Sequence, residues 1–185
     1  MSQSLSLDDT TTDALAQIKA GVREIPDFPK PGILFLDITP IIGCGKLFKL
    51  TVDHFAERYK DQKIDAVVAI DARGFIFGSA LAYALGTGVA LVRKAGKLPH
   101  LTYKTDYTLE YGSNTVEMHI DALKKGDRAI IIDDLLATGG TAAAAAKLVE
   151  QTGASVAEIA VVIELGFLNG RKLLEPHPVY SALLY

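Results

Sequence analysis

Four short runs of almost unbroken aliphatic residues constrain this chain more than any other feature. They are IDAVVAI (64–70), GVALVRK (88–94), RAIIIDD (128–134) and AEIAVVIEL (157–165). A strand with one wet face alternates apolar and polar residues. A strand apolar throughout is covered on both faces, as in a parallel sheet lying between helices. The segments between the runs supply the helices: FIFGSALAYALG (75–86) ends at a glycine, and the alanine-rich stretch 140–151 stops near Gly153. Strand, helix, strand in this order implies parallel pairing with right-handed crossovers. The expectation is an α/β fold: a single domain, residues 1–185, with a central parallel sheet flanked by helices. VYSALLY closes it as a last strand or an extended tail. A chain of 185 residues suits one such core.

Outside this rhythm the pattern is less regular. Residues 1–11 read as a loose tail and 12–23 as a short helix. Pro26, Pro29 and Pro31 forbid a helix in IPDFPKPGILF and favour a stiff extended segment. A further helix is expected over 47–59. Between the second and third aliphatic runs lies a long insertion. Within it TVEMHI alternates as a half-exposed strand does, with DYTLEYG as its hairpin partner. The preceding AGKLPHLTYKT is polar and basic without periodicity, so residues 95–109 read as a lid, and 95–120 as lid plus hairpin.

Composition removes several function classes. A net charge of -3 argues against nucleic acid as the main partner. No apolar window is long enough to span a membrane, and residues 1–12 are polar and acidic, unlike a signal peptide. The single cysteine, Cys44, builds no disulfide framework and suggests a reducing compartment, so a cytoplasmic location is expected. The four histidines show no metal-ligand spacing.

The chemistry concentrates in AIIIDDLLATGGT. In open parallel sheets ligands bind beyond the carboxyl ends of the strands. Asp133 and Asp134 stand there, and Ala137, Thr138, Gly139, Gly140 and Thr141 turn the chain into a helix. Unpaired N–H groups, the helix dipole and glycines that admit close approach make such a turn a phosphate cradle. The bland alternative is that Thr138 or Thr141 merely caps the helix. Two carboxylates beside a phosphate would be repelled by it, so they need another purpose; accepting hydrogen bonds from two neighbouring sugar hydroxyls is the natural one. The same device recurs at Asp71, Ala72, Arg73 and Gly74, where Arg73 adds a fork suited to phosphate. Arg93, Lys94 and Lys97 follow the neighbouring run. Neither G-x-x-x-x-G-K-[ST] nor G-x-G-x-x-G occurs after a strand. Two anion cradles, a carboxylate pair and a basic loop imply a pentose phosphorylated at two places, 5-phosphoribosyl-1-pyrophosphate.

With those residues in view, AIIIDDLLATGGT resembles the substrate-binding motif of the type I phosphoribosyltransferases. IPDFPKPGILFLDITP, DARGFIFG, LVRKAGKLP and YTLEYG, in this order, resemble the adenine-specific members of that family from about residue 18 to the end. The resemblance implies transfer of a phosphoribosyl group to adenine with Mg²⁺, giving AMP and pyrophosphate, with no metal ligand supplied directly and the ion held mainly by substrate and water. It also implies a homodimer, an N-terminal hood over residues 24–40 and a flexible hairpin lid.

Roles follow at the matching positions. Ala137, Thr138, Gly139, Gly140 and Thr141 would hold the 5′-phosphate, and Asp133 and Asp134 the ribose hydroxyls. Asp71, Ala72, Arg73 and Gly74, with a cis Asp71–Ala72 peptide, would hold pyrophosphate, assisted by Arg93, Lys94 and Lys97. Adenine would lie between Phe35 and Leu135, its edge read by backbone groups of Leu34 and Leu36. Glu110 would exchange the purine proton. Relatives usually carry a basic residue at the position of Leu36. Two rivals stay open at this point: a transferase for hypoxanthine, guanine or xanthine, and a regulatory protein that keeps the fold without catalysis.

Overall fold

The computed structural model describes residues 7–108 and 113–185. Two compact units can be told apart, Met1–Arg58 and Tyr59–Tyr185.

The first unit carries helix α1 (Leu7–Ala20), strands β1 (Arg23–Pro26) and β2 (Leu34–Asp37), the short helix α2 (Thr39–Gly43) and most of α3 (Gly45–Tyr59). Helix α1 starts at Leu7, so the tail expected over 1–11 is helical from that residue on, and it stops at Ala20 rather than 23. At Gly21 a β-carbon would lie 2.7 Å from Leu47 Cδ1, so a larger residue there would have to push that side chain aside. The proline-rich segment is not one extended run. It folds back, pairing β1 with β2 antiparallel from Arg23↔Asp37 to Pro26↔Leu34. The prolines exclude a helix, but Gly32 takes a φ of 85° and the Asp27 carboxylate accepts its N–H at 2.7 Å, which closes the reversal. Ile18, Leu36, Ile38, Ile41 and Phe55 are buried.

The second unit is built on a seven-stranded sheet. In chain order its strands are β3 (Ala66–Ile70), β4 (Gly88–Lys94), β5 (Thr102–Thr108), β6 (Ser113–His119), β7 (Arg128–Leu136), β8 (Ser155–Glu164) and β9 (Val179–Leu184). In space they run β5-β6-β4-β3-β7-β8-β9. All pairs from β4 to β9 are parallel; β6 and β5 add an antiparallel edge. Helices α4 (Gly74–Leu85) and α5 (Gly140–Gln151) are the crossovers around the site. Three of the four aliphatic runs are buried on both faces as their composition requires: Val67, Val68, Ala69 and Ile130, Ile131, Ile132 are each 0% exposed. The run of β4 differs, because Ala90 and Val92 face the core while Val89 and Leu91 on its other face are exposed. Truncating one such isoleucine to alanine typically costs about 2–5 kcal/mol.

The insertion differs from its sequence reading. Residues 102–108 form a strand paired residue by residue with β6, so the loop that could act as a lid shortens to residues 95–101. The alternation is there, but in a form polarity hides: Tyr103 and Tyr107 pack against the core while Lys104 and Asp106 lie between them.

Connectivity fixes where a ligand can go. From β3 the chain crosses to β4 on one side; β7 then takes the other side of β3. The sheet therefore changes direction between β3 and β7, and their carboxyl ends open a crevice.

Candidate active site

Both expected cradles sit in that crevice. Ile70 ends β3 and residues 71–74 lead into α4; the Asp71–Ala72 peptide is cis. Leu136 ends β7 and residues 137–140 lead into α5. The first loop is seated on β7 at Asp133, a residue that also lines the cavity beside the second loop. A β-carbon on Gly74 would lie 2.9 Å from Asp133 Oδ1 and 2.9 Å from Ile132 O, so only glycine lets the first loop seat on the second strand. Neither helix start carries a side-chain cap: residue 73 precedes α4 in helical conformation, and Gly139 precedes α5 with φ 88°. Thr138 and Thr141 are thus not caps, and the first-turn N–H groups are free of side-chain acceptors.

A cleft of about 440 Å³ opens between the loops. Asp71, Ala72, Arg73, Arg93, Lys94, Asp133, Asp134, Leu135 and Thr141 line it, together with Tyr107. A smaller cavity of about 90 Å³ adjoins it through Asp133, Leu135 and Thr141, and is lined by Ala137, Thr138, Gly139 and Gly140. The expected sugar and phosphate residues are thus brought together. Lys97 is not among the residues lining the cleft; its side chain is exposed, and it is the Lys97 carbonyl that takes part, accepting Arg93 Nη1 at 3.2 Å.

The charges are paired across the crevice. Arg73 Nε lies 2.7 Å from Asp134 Oδ2, and Arg93 Nε donates to Asp71 Oδ2 at 2.9 Å. Asp134 is buried, and its N–H donates to Asp133 Oδ1 at 2.9 Å. Burial, and then the neighbouring Asp134 charge, push the Asp133 carboxyl well above the ordinary aspartate range, against the lowering effect of that N–H and of Arg73. Ionising Asp133 beside Asp134 is thus unfavourable, and a polyhydroxylated or cationic partner would ease it.

The loop 137–141 rests on a scaffold the sequence reading did not single out. A β-carbon on Gly139 would lie 2.5 Å from Gly170 O, and one on Gly170 would overlap Ala137 O. Gly170 opens a 3-10 turn, Gly170–Leu174, whose Arg171 is fixed on all sides. Its Nε donates to both Glu164 oxygens at 2.6 and 2.8 Å, Nη1 to Val179 O at 2.7 Å and Nη2 to Ser181 Oγ at 3.0 Å. Burial would raise the Glu164 carboxyl, but Arg171 and Ser181 hold it below its usual value. The signal available in sequence was only the Gly-Arg pair after a strand, which is too common to choose.

The residues expected to read the base lie in the first unit. Phe35 is half-buried, and the ring of Phe28 meets it edge to face at 5.1 Å and 74°. Leu34 is half-exposed. Leu36 is buried, which accounts for an apolar residue at that position. Asp37, without a role in the sequence reading, accepts the N–H and hydroxyl of Thr39 at 2.9 and 2.8 Å and so starts α2. Glu110 lies outside the described residues.

Residues 42–180 match the family described as phosphoribosyl transferase domain. The chain is 56% identical over 164 residues to an adenine phosphoribosyltransferase of Chloroflexus aurantiacus, covering 89% of this chain and 95% of that one. The crystal structure of the adenine phosphoribosyltransferase from Thermoanaerobacter pseudethanolicus superposes with a TM-score of 0.89 at 48% identity, covering 92% of this chain and 99% of that one. The Saccharomyces cerevisiae enzyme, solved with adenine and an imino-altritol bisphosphate, gives 0.89 at 44% identity, with coverages of 93% and 99%. By its fold, its paired loops and these relatives, the chain belongs to the phosphoribosyltransferase family, and within it to the adenine phosphoribosyltransferases.

Proposed function

We propose that this crevice transfers the 5-phosphoribosyl group of 5-phosphoribosyl-1-pyrophosphate to adenine, giving AMP and pyrophosphate. The observation that supports the reading is that Asp133 lines both the cleft beside residues 71–73 and the cavity beside residues 137–141, with Gly74 seated on its carboxylate. One doubly phosphorylated pentose fits that arrangement: 5′-phosphate on Ala137, Thr138, Gly139, Gly140 and Thr141, ribose hydroxyls on Asp133 and Asp134, and pyrophosphate on Ala72, Arg73 and Gly74 with Arg93 and Lys94.

Bond breaking at C1 leaves a ribose with oxocarbenium character. Asp133 and Asp134 lie where that positive charge develops, and the arginines face the departing anion. Phe35 offers the base a flat platform, and backbone groups of Leu34 and Leu36 accept from or donate to its edge. An amino group at that edge suits acceptors that would reject a carbonyl, which selects adenine over hypoxanthine and guanine. Glu110 takes the proton that the attacking purine loses.

The donor set suits Mg²⁺ carried by the substrate. Among the described residues no three His, Cys, Asp or Glu side chains gather. Mg²⁺ readily binds through substrate phosphates and keeps several waters, so the ion would be held mainly by substrate and water. When bound, the ion neutralises charge on the leaving pyrophosphate.

A homodimer belongs to the same reading. Ile76 and Tyr83 on α4 and Val89 and Leu91 on β4 are exposed, Tyr83 to 89%, and a second copy would cover such a group. The lone cysteine fits a cytoplasmic setting, and among the described residues no helix is long and apolar enough to cross a membrane.

The test is to incubate the protein with phosphoribosyl pyrophosphate, Mg²⁺ and each purine base in turn. AMP from adenine alone is expected; IMP or GMP at comparable rates overturns the base assignment.

A further inference from the structure

Glu117 is a carboxylate that the reaction does not use, yet it is only 1% exposed. It lies on β6, opposite Arg93 of β4 on one side and Lys104 of β5 on the other. Its Oε1 accepts two successive backbone N–H groups, Lys97 at 2.9 Å and Leu98 at 3.0 Å. Its Oε2 accepts the Thr102 hydroxyl at 3.2 Å and lies 3.7 Å from Lys104 Nζ. The middle of loop 95–101 and the strand residue that follows it are thus tied to one buried side chain.

That loop in turn holds an arginine of the site. The Lys97 carbonyl accepts Arg93 Nη1 at 3.2 Å, and Arg93 Nε donates to Asp71 at 2.9 Å, the first residue of the loop that ends β3. The Asp71 N–H donates to Val92 O at 2.9 Å, closing the circuit on β4. An Arg side chain has many rotamers, and a guanidinium held on two sides presents its remaining donors in one direction.

We infer that Glu117 is a positioning residue for the pyrophosphate end of the site: it clamps the Lys97–Leu98 backbone, which fixes Arg93, which fixes Asp71. Burying a carboxylate without such donors would be costly, so the clamp and the buried charge explain each other. Burial alone would raise the Glu117 carboxyl; the N–H groups of Leu98 and Lys97, with Thr102 and Lys104, lower it below its usual value and keep it a pure acceptor. The 5′-phosphate loop, which is braced by Gly170 instead, does not depend on this circuit. The inference rests on the reading of Arg93 and residues 71–74 as the pyrophosphate site.

The test uses the reverse reaction, with AMP, pyrophosphate and Mg²⁺, and compares Glu117→Ala, Glu117→Gln and Arg93→Ala. Glu117→Ala is expected to raise KM for pyrophosphate about tenfold, with KM for AMP within about twofold. Glu117→Gln keeps one acceptor for the two N–H groups and should recover most of the loss; it also serves if the alanine variant does not fold. Arg93→Ala is expected to raise KM for pyrophosphate at least as much. Equal losses for AMP and pyrophosphate, or unchanged KM values in both Glu117 variants while Arg93→Ala is impaired, would overturn the positioning role alone. An unchanged KM for pyrophosphate in Arg93→Ala would overturn the site reading with it.

Discussion

Arg73 Nε lies 2.7 Å from Asp134 Oδ2, so a guanidinium from the loop after β3 is held by a carboxylate from β7. The arginine is nearly half-exposed and the aspartate buried, which makes Asp134 the fixed partner and Arg73 the arm it aims. Truncating the anchor should therefore cost twice, through the lost sugar acceptor and through the released arginine. Asp134→Ala is expected to weaken phosphoribosyl pyrophosphate binding about tenfold to a hundredfold in calorimetry, the range for hydrogen bonds to charged groups. Unchanged affinity removes Asp134 from the site.

Asp133 gives a pH signature. Its folded carboxyl holds a proton to higher pH than it would in the unfolded chain, through burial and then the Asp134 charge. The native state therefore binds the extra proton between the two values, and stability falls as pH climbs through that window. Asp133→Asn removes the titration. Its melting temperature should match the wild type below about pH 4, near the unfolded aspartate value, and exceed it increasingly at higher pH. A gap independent of pH contradicts the claim that burial and Asp134 disfavour the ionised Asp133.

Gly170 braces one loop of the site and not the other. Its added β-carbon would meet Ala137 O directly, displacing residues 137–141, the proposed 5′-phosphate loop, while leaving residues 71–74 untouched. Gly170→Ala should raise KM for both phosphoribosyl pyrophosphate and AMP and lower stability by about 1–3 kcal/mol, as overpacking does. KM for pyrophosphate in the reverse reaction should hardly move. A rise confined to pyrophosphate contradicts the assignment of the loops.

Glu110 is assigned from YTLEYG, outside the described residues. Glu110→Ala should lower turnover by about a hundredfold to ten-thousandfold, the usual contribution of positioned acid–base catalysis, with phosphoribosyl pyrophosphate affinity nearly unchanged. Parallel loss of both makes it a binding residue.

Much of this site is legible in the linear sequence because burial writes it there. Strands apolar on both faces, as Val67 to Ala69 and Ile130 to Ile132 are, leave unbroken aliphatic runs, and the first polar residues after them mark the ligand edge. What stayed hidden depends on partners far along the chain. β5 looks polar until its tyrosines meet the core, Gly170 matters only because Ala137 lies against it, and Glu117 reads as an ordinary exposed strand acid until two loop N–H groups close on it. The hairpin of β1 and β2 was obscured for another reason: prolines report what the backbone avoids, and Gly32 decides where it turns.

The most direct measurement is a crystal structure with AMP, pyrophosphate and Mg²⁺ bound. The account predicts the 5′-phosphate on the N–H groups of residues 137–141, both ribose hydroxyls on Asp133 and Asp134, and pyrophosphate against Ala72, Arg73, Gly74 and Arg93. Phosphates bound away from either loop, or a ribose turned from the two aspartates, would contradict it.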